Sequence, residues 1–403
     1  MQPREPAFWV FGVFVVYGAV AIIDVLGDLA SVSRSGWALS WLLLALYAAP
    51  VIAAIYWLDL YEREPWSLVA GALAWGALVA TALSLDAAGW DELVVRLIGA
   101  DAAARWTPAI AAPLVEETLK GVGVVLLYLI ARDEFDDVMD GFVYGAAVGL
   151  GFAVVEDVLY LMAVFGGTPA GVLQGFYIRV VSSGLYGHVL YTGLIGMGIG
   201  FVVTRRENRP LGHRLQVSAG LAGLGVAGHA LWNAPILDLL PDPPVEGLEW
   251  FLVPVALAVK GLPMLVLVAV GLKLARGRER RWLDGALQPE LEGGAISATE
   301  LEVLRSPARR RAAVKTARAR SGRRAGDLVA RLQREQIDLA MVASRVARPD
   351  DPALVAQRAY CRSIRDVLAA TPGAAPPDAP GPWATPPPAA PGPPAAGPPP
   401  AAK

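Results

Sequence analysis

Apolar residues run in long blocks along most of the chain, and polar residues collect in the gaps between them. Crossing a hydrocarbon core ~30 Å thick takes about 20 such residues at ~1.5 Å each in a helix. Eight blocks are long enough: about residues 8–30, 37–58, 66–86, 108–131, 141–165, 178–203, 215–238 and 250–275. Between the third and fourth, WDELVVRLIGADAAARW carries too many charges to cross and is expected to lie in the interface. The N-terminal block reads as a first span and not as a signal peptide, because its apolar run is long for one and Glu5 accompanies Arg4 ahead of it.

The pattern breaks after residue 275. Ser297 and Glu300 make a capping-box signature, and Leu328, Leu332, Ile337, Leu339, Val342 and Val346 recur at roughly helical spacing. Residues 276–370 therefore read as a small cytosolic helical hairpin, whose Arg-rich first half is taken as a solvated face in preference to a lipid contact. Residues 371–403 are Pro and Ala repeats that bury nothing and are expected to be disordered. The expected fold is all-α: a polytopic membrane bundle of about eight transmembrane helices over residues 1–275, then the hairpin and the tail.

Composition agrees with a membrane protein, since 55% of the 403 residues are hydrophobic and only 18% charged, against about 25% charged in soluble domains. The formal net charge of -2 hides a clustering of arginine. With the N-terminus inside, the cytosolic flanks take Arg4, Arg63, Arg132, Arg205, Arg206, Arg209, Arg214, Arg276, Arg278, Arg280 and Arg281, and the outer loops take only Arg34, Arg96 and Arg105. This predicts a multi-pass plasma-membrane protein with both termini in the cytoplasm. Cys361 is the only cysteine, which excludes an intrachain disulfide framework and a Cys-rich zinc site.

Against this apolar background, ionisable residues inside the spans carry the information, because each costs at least ~2.5–3.5 kcal/mol at the bilayer centre and normally faces the bundle interior. PLVEETLKGVG places Glu116, Glu117 and Lys120 in the fourth span. Glu156 and Asp157 fall in the fifth, Arg179 and His188 in the sixth, His229 and Asn233 in the seventh and Lys260 in the eighth. Counted along each helix, Glu116, Glu156, His188 and His229 lie ~12–15 Å below the outer ends of their spans, so successive helices present an acid or a histidine at one level. Glu116 and Lys120, His229 and Asn233, and Phe152 and Glu156 each stand four apart and share a face. Gly141, Gly145 and Gly149, and the glycines at 220, 223, 225 and 228, have the spacing that lets helices approach closely. Taken singly, each polar residue has a structural reading: a histidine bonded to a neighbouring backbone, an ion pair of Glu117 with Lys120, Asp157 and Arg179 near water, or Lys260 capping a carbonyl. Coincidence of depth on four helices favours an active or ion-binding site.

These residues resemble the PrsW family of intramembrane proteases, itself similar to CAAX prenyl endopeptidases and bacteriocin-processing membrane proteases. EETLK matches its E-E-x-x-K motif, FAVVE its F-x-x-x-E motif and HALWN its H-x-x-x-N motif, with His188 on the helix between and YEREPW upstream. The resemblance covers approximately residues 50–275, and Glu156 stands where CAAX-type relatives have histidine, so prenyl-protein processing is not implied. It implies an endopeptidase acting on a membrane-anchored protein, of the anti-sigma-factor-like class, within the lipid bilayer and without a nucleic-acid partner. The expected roles are Glu116 as general base on water, Glu117 oriented by Lys120, His188 as water-positioning group or proton donor, and His229 and Asn233 as oxyanion donors. Phe152 and Glu156 are supporting residues. Glu116, His188 and His229 would also suit zinc, leaving a fourth position for water, and family members are often described as metalloproteases. No H-E-x-x-H signature is present, and a metal-free, glutamate-based form is favoured. An ion- or proton-coupled transporter and a non-catalytic scaffold of the same fold remain the alternatives.

Overall fold

In a computed structural model of the chain, residues 3–58, 64–85, 89–182, 187–204, 209–235, 247, 249–346 and 348–371 are described. Among them the secondary structure is helical. Helices α1 (Pro6–Val32), α2 (Arg34–Leu58) and α3 (Trp66–Leu85) are followed by α4 (Gly89–Ile98), α5 (Ala100–Ile130) and α6 (Val138–Val164). Next come α7 (Pro169–Phe176), which runs into a π turn (Tyr177–Val181), α8 (His188–Thr204), α9 (Leu211–Asn233) and α10 (Glu249–Glu292). Chain contacts divide into a unit of residues 1–275 and a unit of residues 276–403, and the division falls within α10.

Burial ranks the helices of the first unit. In the apolar windows of α1 and α2 only 17% of residues are buried, against 67% in α6, so α6 is the central helix and α1 and α2 are peripheral. Trp9, Val13, Val16, Val20 and Ile23 of α1 are exposed, an apolar surface suited to lipid and not to water. What seats α6 against its neighbour is the absence of side chains. A Cβ on Gly141, Gly145 or Gly149 would lie 2.1–2.4 Å from the carbonyl oxygens of Gly196, Thr192 and His188 on α8. This stripe lets two backbones touch and fixes where α8 begins. On α9 the glycines divide: Gly225 and Gly228 meet Tyr191 and Met264, whereas a Cβ on Gly220 or Gly223 would meet nothing within 4 Å.

A π segment in α3 (Trp75–Ala80) turns Trp75 inward, where its Nε1 donates to the Leu119 carbonyl at 2.9 Å and its ring lies over Gly123. Thr81 Oγ1 donates back to the Gly76 carbonyl, satisfying an acceptor in the widened turn. Of the YEREPW segment, residues 61–63 lie outside the described residues, while the Glu64 carboxylate accepts from the Tyr144 hydroxyl of α6.

Among the described residues five helices are long and apolar enough to cross a membrane: Pro6–Val32, Arg34–Leu58, Trp66–Leu85, Val138–Val164 and Leu257–Glu292, with His188–Thr204 a shorter apolar helix. A multi-pass helical membrane bundle is thereby shown, but not the expected number of eight. In α5 the cluster of Glu116, Glu117 and Lys120 interrupts the apolar run. The expected span 178–203 is divided, because residues 177–181 close a π turn and α8 starts only at His188. The expected interfacial segment is divided too, since Gly99 at φ +82° ends α4 and residues 100–107 already belong to α5.

In the second unit α11 (Ala298–Leu304), α12 (Pro307–Arg345) and α13 (Pro352–Ala369) pack on one another. Ser297 Oγ accepts from the Glu300 N–H at 3.1 Å and the Glu300 carboxylate accepts from the Ser297 N–H at 2.7 Å, the reciprocal cap that the sequence predicts. Leu332, Ile337 and Leu339 are buried; Leu328, Val342 and Val346 are half-buried. Gly322, at φ +82°, breaks α12 into two stretches. Arg365 makes a buried two-point pair with Glu300 at 2.8 and 2.7 Å. Burial pushes the Cys361 thiol up to about 12, so it stays protonated at neutral pH. The Pro and Ala tail, from residue 372 on, lies outside the described residues.

Gly145→Leu should lower stability by about 1–3 kcal/mol or more through overpacking against the Thr192 backbone. Gly220→Ala, where a Cβ meets nothing, should stay within about 0.5 kcal/mol of the parent. Thermal unfolding of the two variants in one detergent checks both.

Candidate active site

Lys120 has three protons to donate, and the structure gives each one a partner. Its Nζ lies 3.1 Å from Glu116 Oε2, 2.9 Å from Glu117 Oε1 and 2.8 Å from His188 Nδ1. Beneath it, 3.5 Å away, is the centroid of the Phe152 ring, a cation–π contact in a site with no water exposure at Lys120. An ammonium cannot accept, so His188 Nδ1 must present a lone pair, and the imidazole proton therefore sits on Nε2. That nitrogen is 3.0 Å from Glu156 Oε2.

His229 is fixed by the same reasoning. The Asn233 amide nitrogen donates to the Pro108 carbonyl at 2.9 Å, which sets the amide's orientation, and it also lies 3.2 Å from His229 Nε2. His229 Nε2 is consequently an acceptor, and Nδ1–H donates to Glu117 Oε1 at 3.1 Å. Tyr191 stacks on the His229 ring at 5.4 Å and the two imidazoles meet edge to face at 4.7 Å.

The two adjacent carboxylates are thereby made unequal. Glu117, 1% exposed, receives Lys120 and His229 on one oxygen and the Thr192 hydroxyl at 2.8 Å on the other. Glu116, 8% exposed, borders a cavity of about 710 Å³ between α3, α4 and α5. A second cavity of about 770 Å³, walled by apolar residues of α2 and α10 such as Pro50, Ile55 and Val268, ends on Glu156, Asp157, Arg179 and His188.

The eight residues assigned a role in the site from the sequence, Glu116, Glu117, Lys120, Phe152, Glu156, His188, His229 and Asn233, meet in this one cluster. Two details differ from expectation. His188 stands at the start of α8 and not in mid-helix, because the span is divided there. Asn233 turns its amide protons to Pro108 and His229, so it orients a histidine. Lys260 stands apart and donates to the Trp232 and Ala234 carbonyls at 2.5 and 3.0 Å at the end of α9. Sequence reasoning missed Thr192 and paired Arg179 with nothing. Thr192 was legible, four residues after His188 and so on its face; Arg179 was not, because its partners lie on α6.

The donor set fits a divalent cation. One ligand atom from each of Glu116, Glu117, His188 and His229 lies within 4.8 Å of the others. In formal charge, four carboxylates (Glu116, Glu117, Glu156 and Asp157) face two cations (Lys120 and Arg179), an excess of negative charge that a dication would balance. Glu156 on the far nitrogen of His188 is the outer support that a metal-binding imidazole usually has.

Carboxylates, imidazoles and an ammonium held together inside an apolar helical bundle supply the groups that a membrane-embedded hydrolytic site needs, and a family match makes this one a peptidase's. The family described as "PrsW family intramembrane metalloprotease" matches residues 64–269, and the chain belongs to that family. It is similar to "Protease PrsW" of Geobacillus kaustophilus (strain HTA426), 32% identical over 171 residues that cover 41% of this chain and 70% of the relative. It is also similar to "Protease PrsW" of Bacillus subtilis (strain 168), 27% identical over 146 residues that cover 32% of this chain and 64% of that protein. No solved structure matches. The matched stretch contains every residue of the cluster. The family's description as metalloproteases departs from the metal-free form that the missing H-E-x-x-H signature favoured.

Lys120→Met should destabilise the bundle by about 3–5 kcal/mol, because it leaves Glu116 and Glu117 buried without their cation. Thr192→Val, which removes one neutral donor from Glu117, should cost about 1–3 kcal/mol. Unfolding in detergent by heat or denaturant measures both.

Proposed function

We propose that this peptidase hydrolyses a peptide bond of a membrane-anchored protein, an anti-sigma-factor-like regulator by resemblance, with Glu116 receiving the proton of the attacking water. The observation that carries this reading is the inequality of the two adjacent acids. Glu117 has its acceptors occupied by Lys120, His229 and Thr192, whereas Glu116 touches the 710 Å³ cavity and is held by Lys120 alone among the contacts within 3.5 Å. A general base needs a route to water and a lone pair to use, and Glu116 has both.

The other residues follow from their bonds. Glu117 is the fixed anion that holds Lys120 and His229 in place. Lys120 is the positive charge nearest Glu116 and stabilises negative charge developing on the scissile carbonyl. Glu116 then delivers the proton it took from water to the leaving amine, and His188, which borders the apolar cavity, is held in place by Glu156. His229, oriented by Asn233 and stacked on Tyr191, closes the wall opposite. An extended apolar segment of the substrate fits the 770 Å³ cavity between α2 and α10. Glu116, Glu117, His188 and His229 would hold a zinc ion, which would polarise the carbonyl and acidify a bound water. The arginine distribution supports a plasma-membrane orientation with both termini cytoplasmic and the cluster in the outer half of the bilayer.

Reconstitution in proteoliposomes with a single-span substrate is the test. Cleavage appears as a shortened substrate, transport as flux across the vesicle, and a scaffold gives neither. Glu116→Gln should lower kcat by about 10²–10⁴-fold with the unfolding temperature unchanged. Retained cleavage in that variant would remove Glu116 from the chemistry.

A further inference from the structure

Two π turns face each other at the edge of the cluster. One ends α6 at Tyr160–Val164, and the other follows α7 at Tyr177–Val181. Such turns swing a side chain out of the regular helical register, and they recur at functional sites. Here they bring Arg179 over Tyr160, with the guanidinium carbon 3.7 Å from the ring centroid. From that position Arg179 Nε donates to Asp157 Oδ1 at 2.6 Å and Nη2 donates to Glu156 Oε2 at 2.8 Å. The same oxygen of Glu156 accepts from His188 Nε2 at 3.0 Å. Arg179 touches none of Glu116, Glu117 or Lys120 among the contacts described, yet it shares an acceptor atom with the imidazole that does.

We propose that Arg179, clamped between Asp157 and the Tyr160 ring, is a positioning residue that holds Glu156 on Nε2 of His188 and through it fixes the ring plane of the imidazole whose Nδ1 meets Lys120. Its planar fork engages two consecutive acids at once while its face lies on an aromatic ring, which a lysine cannot reproduce. Asp157 and Glu156 divide the labour: Asp157 anchors the arginine, and Glu156 transmits the constraint to His188. Without the clamp, Glu156 can rotate away from Nε2–H, which then loses its acceptor, and the ring can tilt away from Lys120.

The test separates this role from simple charge neutralisation. Chelator-treated protein labelled with ¹⁵N-histidine is placed in liposomes at one neutral pH, and the ring-nitrogen spectra report the hydrogen bonding of each ring nitrogen. With three histidines in the chain, the loss of signal in His188→Gln assigns the resonances. The parent should show one His188 species with Nε2–H hydrogen-bonded, and Arg179→Lys should show that hydrogen bond weakened or lost. Tyr160→Leu, which keeps the guanidinium but removes its platform, should show the same change in smaller amount and serves if the first variant folds poorly.

The kinetic arm rests on the peptidase reading. There Arg179→Lys should lower kcat about 10–100-fold with KM within about two-fold. The double variant with Glu156→Gln should be no slower than Glu156→Gln alone, because the two residues act in series. A parent-like His188 spectrum in both variants would overturn the inference, as would losses that multiply in the double variant. Failure of the parent to cleave any substrate would sink the peptidase reading and leave the hydrogen-bond result standing.

Discussion

A buried ammonium has to place three protons, and the partners of Lys120 determine most of what surrounds it. Because it donates to Glu116, Glu117 and His188 at once, it links α5 to α8 and sets the imidazole tautomer. Thr192 and His229, which meet Glu117 alone of the two acids within hydrogen-bond distance, make the neighbouring carboxylates different from one another. In water each of these bonds would be worth little. In an apolar bundle an unpartnered member would bear its whole desolvation penalty, so the group assembles as a unit.

That unit requires helices close enough for short side chains to meet, and the glycine stripe of α6 supplies the distance. Gly149 lies against the backbone of His188, so the residue that begins α8 is placed by a side chain that is missing. The same economy appears where Trp75 lies over Gly123 and bonds Leu119, one residue before Lys120. Packing and chemistry therefore share a few residues on α5, α6 and α8. Change in the bundle away from those contacts, as at Gly220, is comparatively free.

The excess of carboxylates over cations connects the family's description with the geometry. Ligand atoms of Glu116, Glu117, His188 and His229 converge, and Lys120 already donates to three of these residues. A metal held there would stand in competition with the ammonium for the same acceptors. Asp157 and Arg179 stand outside this competition and brace Glu156 from the opposite side.

The order and chemistry of the cluster were legible in the sequence because a charge in hydrocarbon is costly enough to stand out, and because helical spacing puts Glu116 with Lys120 and His229 with Asn233 on shared faces. The helical membrane class was legible for a similar reason, since runs of apolar residues leave the backbone few other ways to satisfy its hydrogen bonds in lipid. Hydropathy could not give the breaks at Gly99, before His188 and in the three π turns, because a local backbone change leaves composition untouched. Nor could it tell Glu116 from Glu117, adjacent and chemically alike. Only the tertiary structure decided which of them meets Thr192 and His229 and which meets a cavity, because those partners come from other helices and their approach depends on how closely two backbones pack.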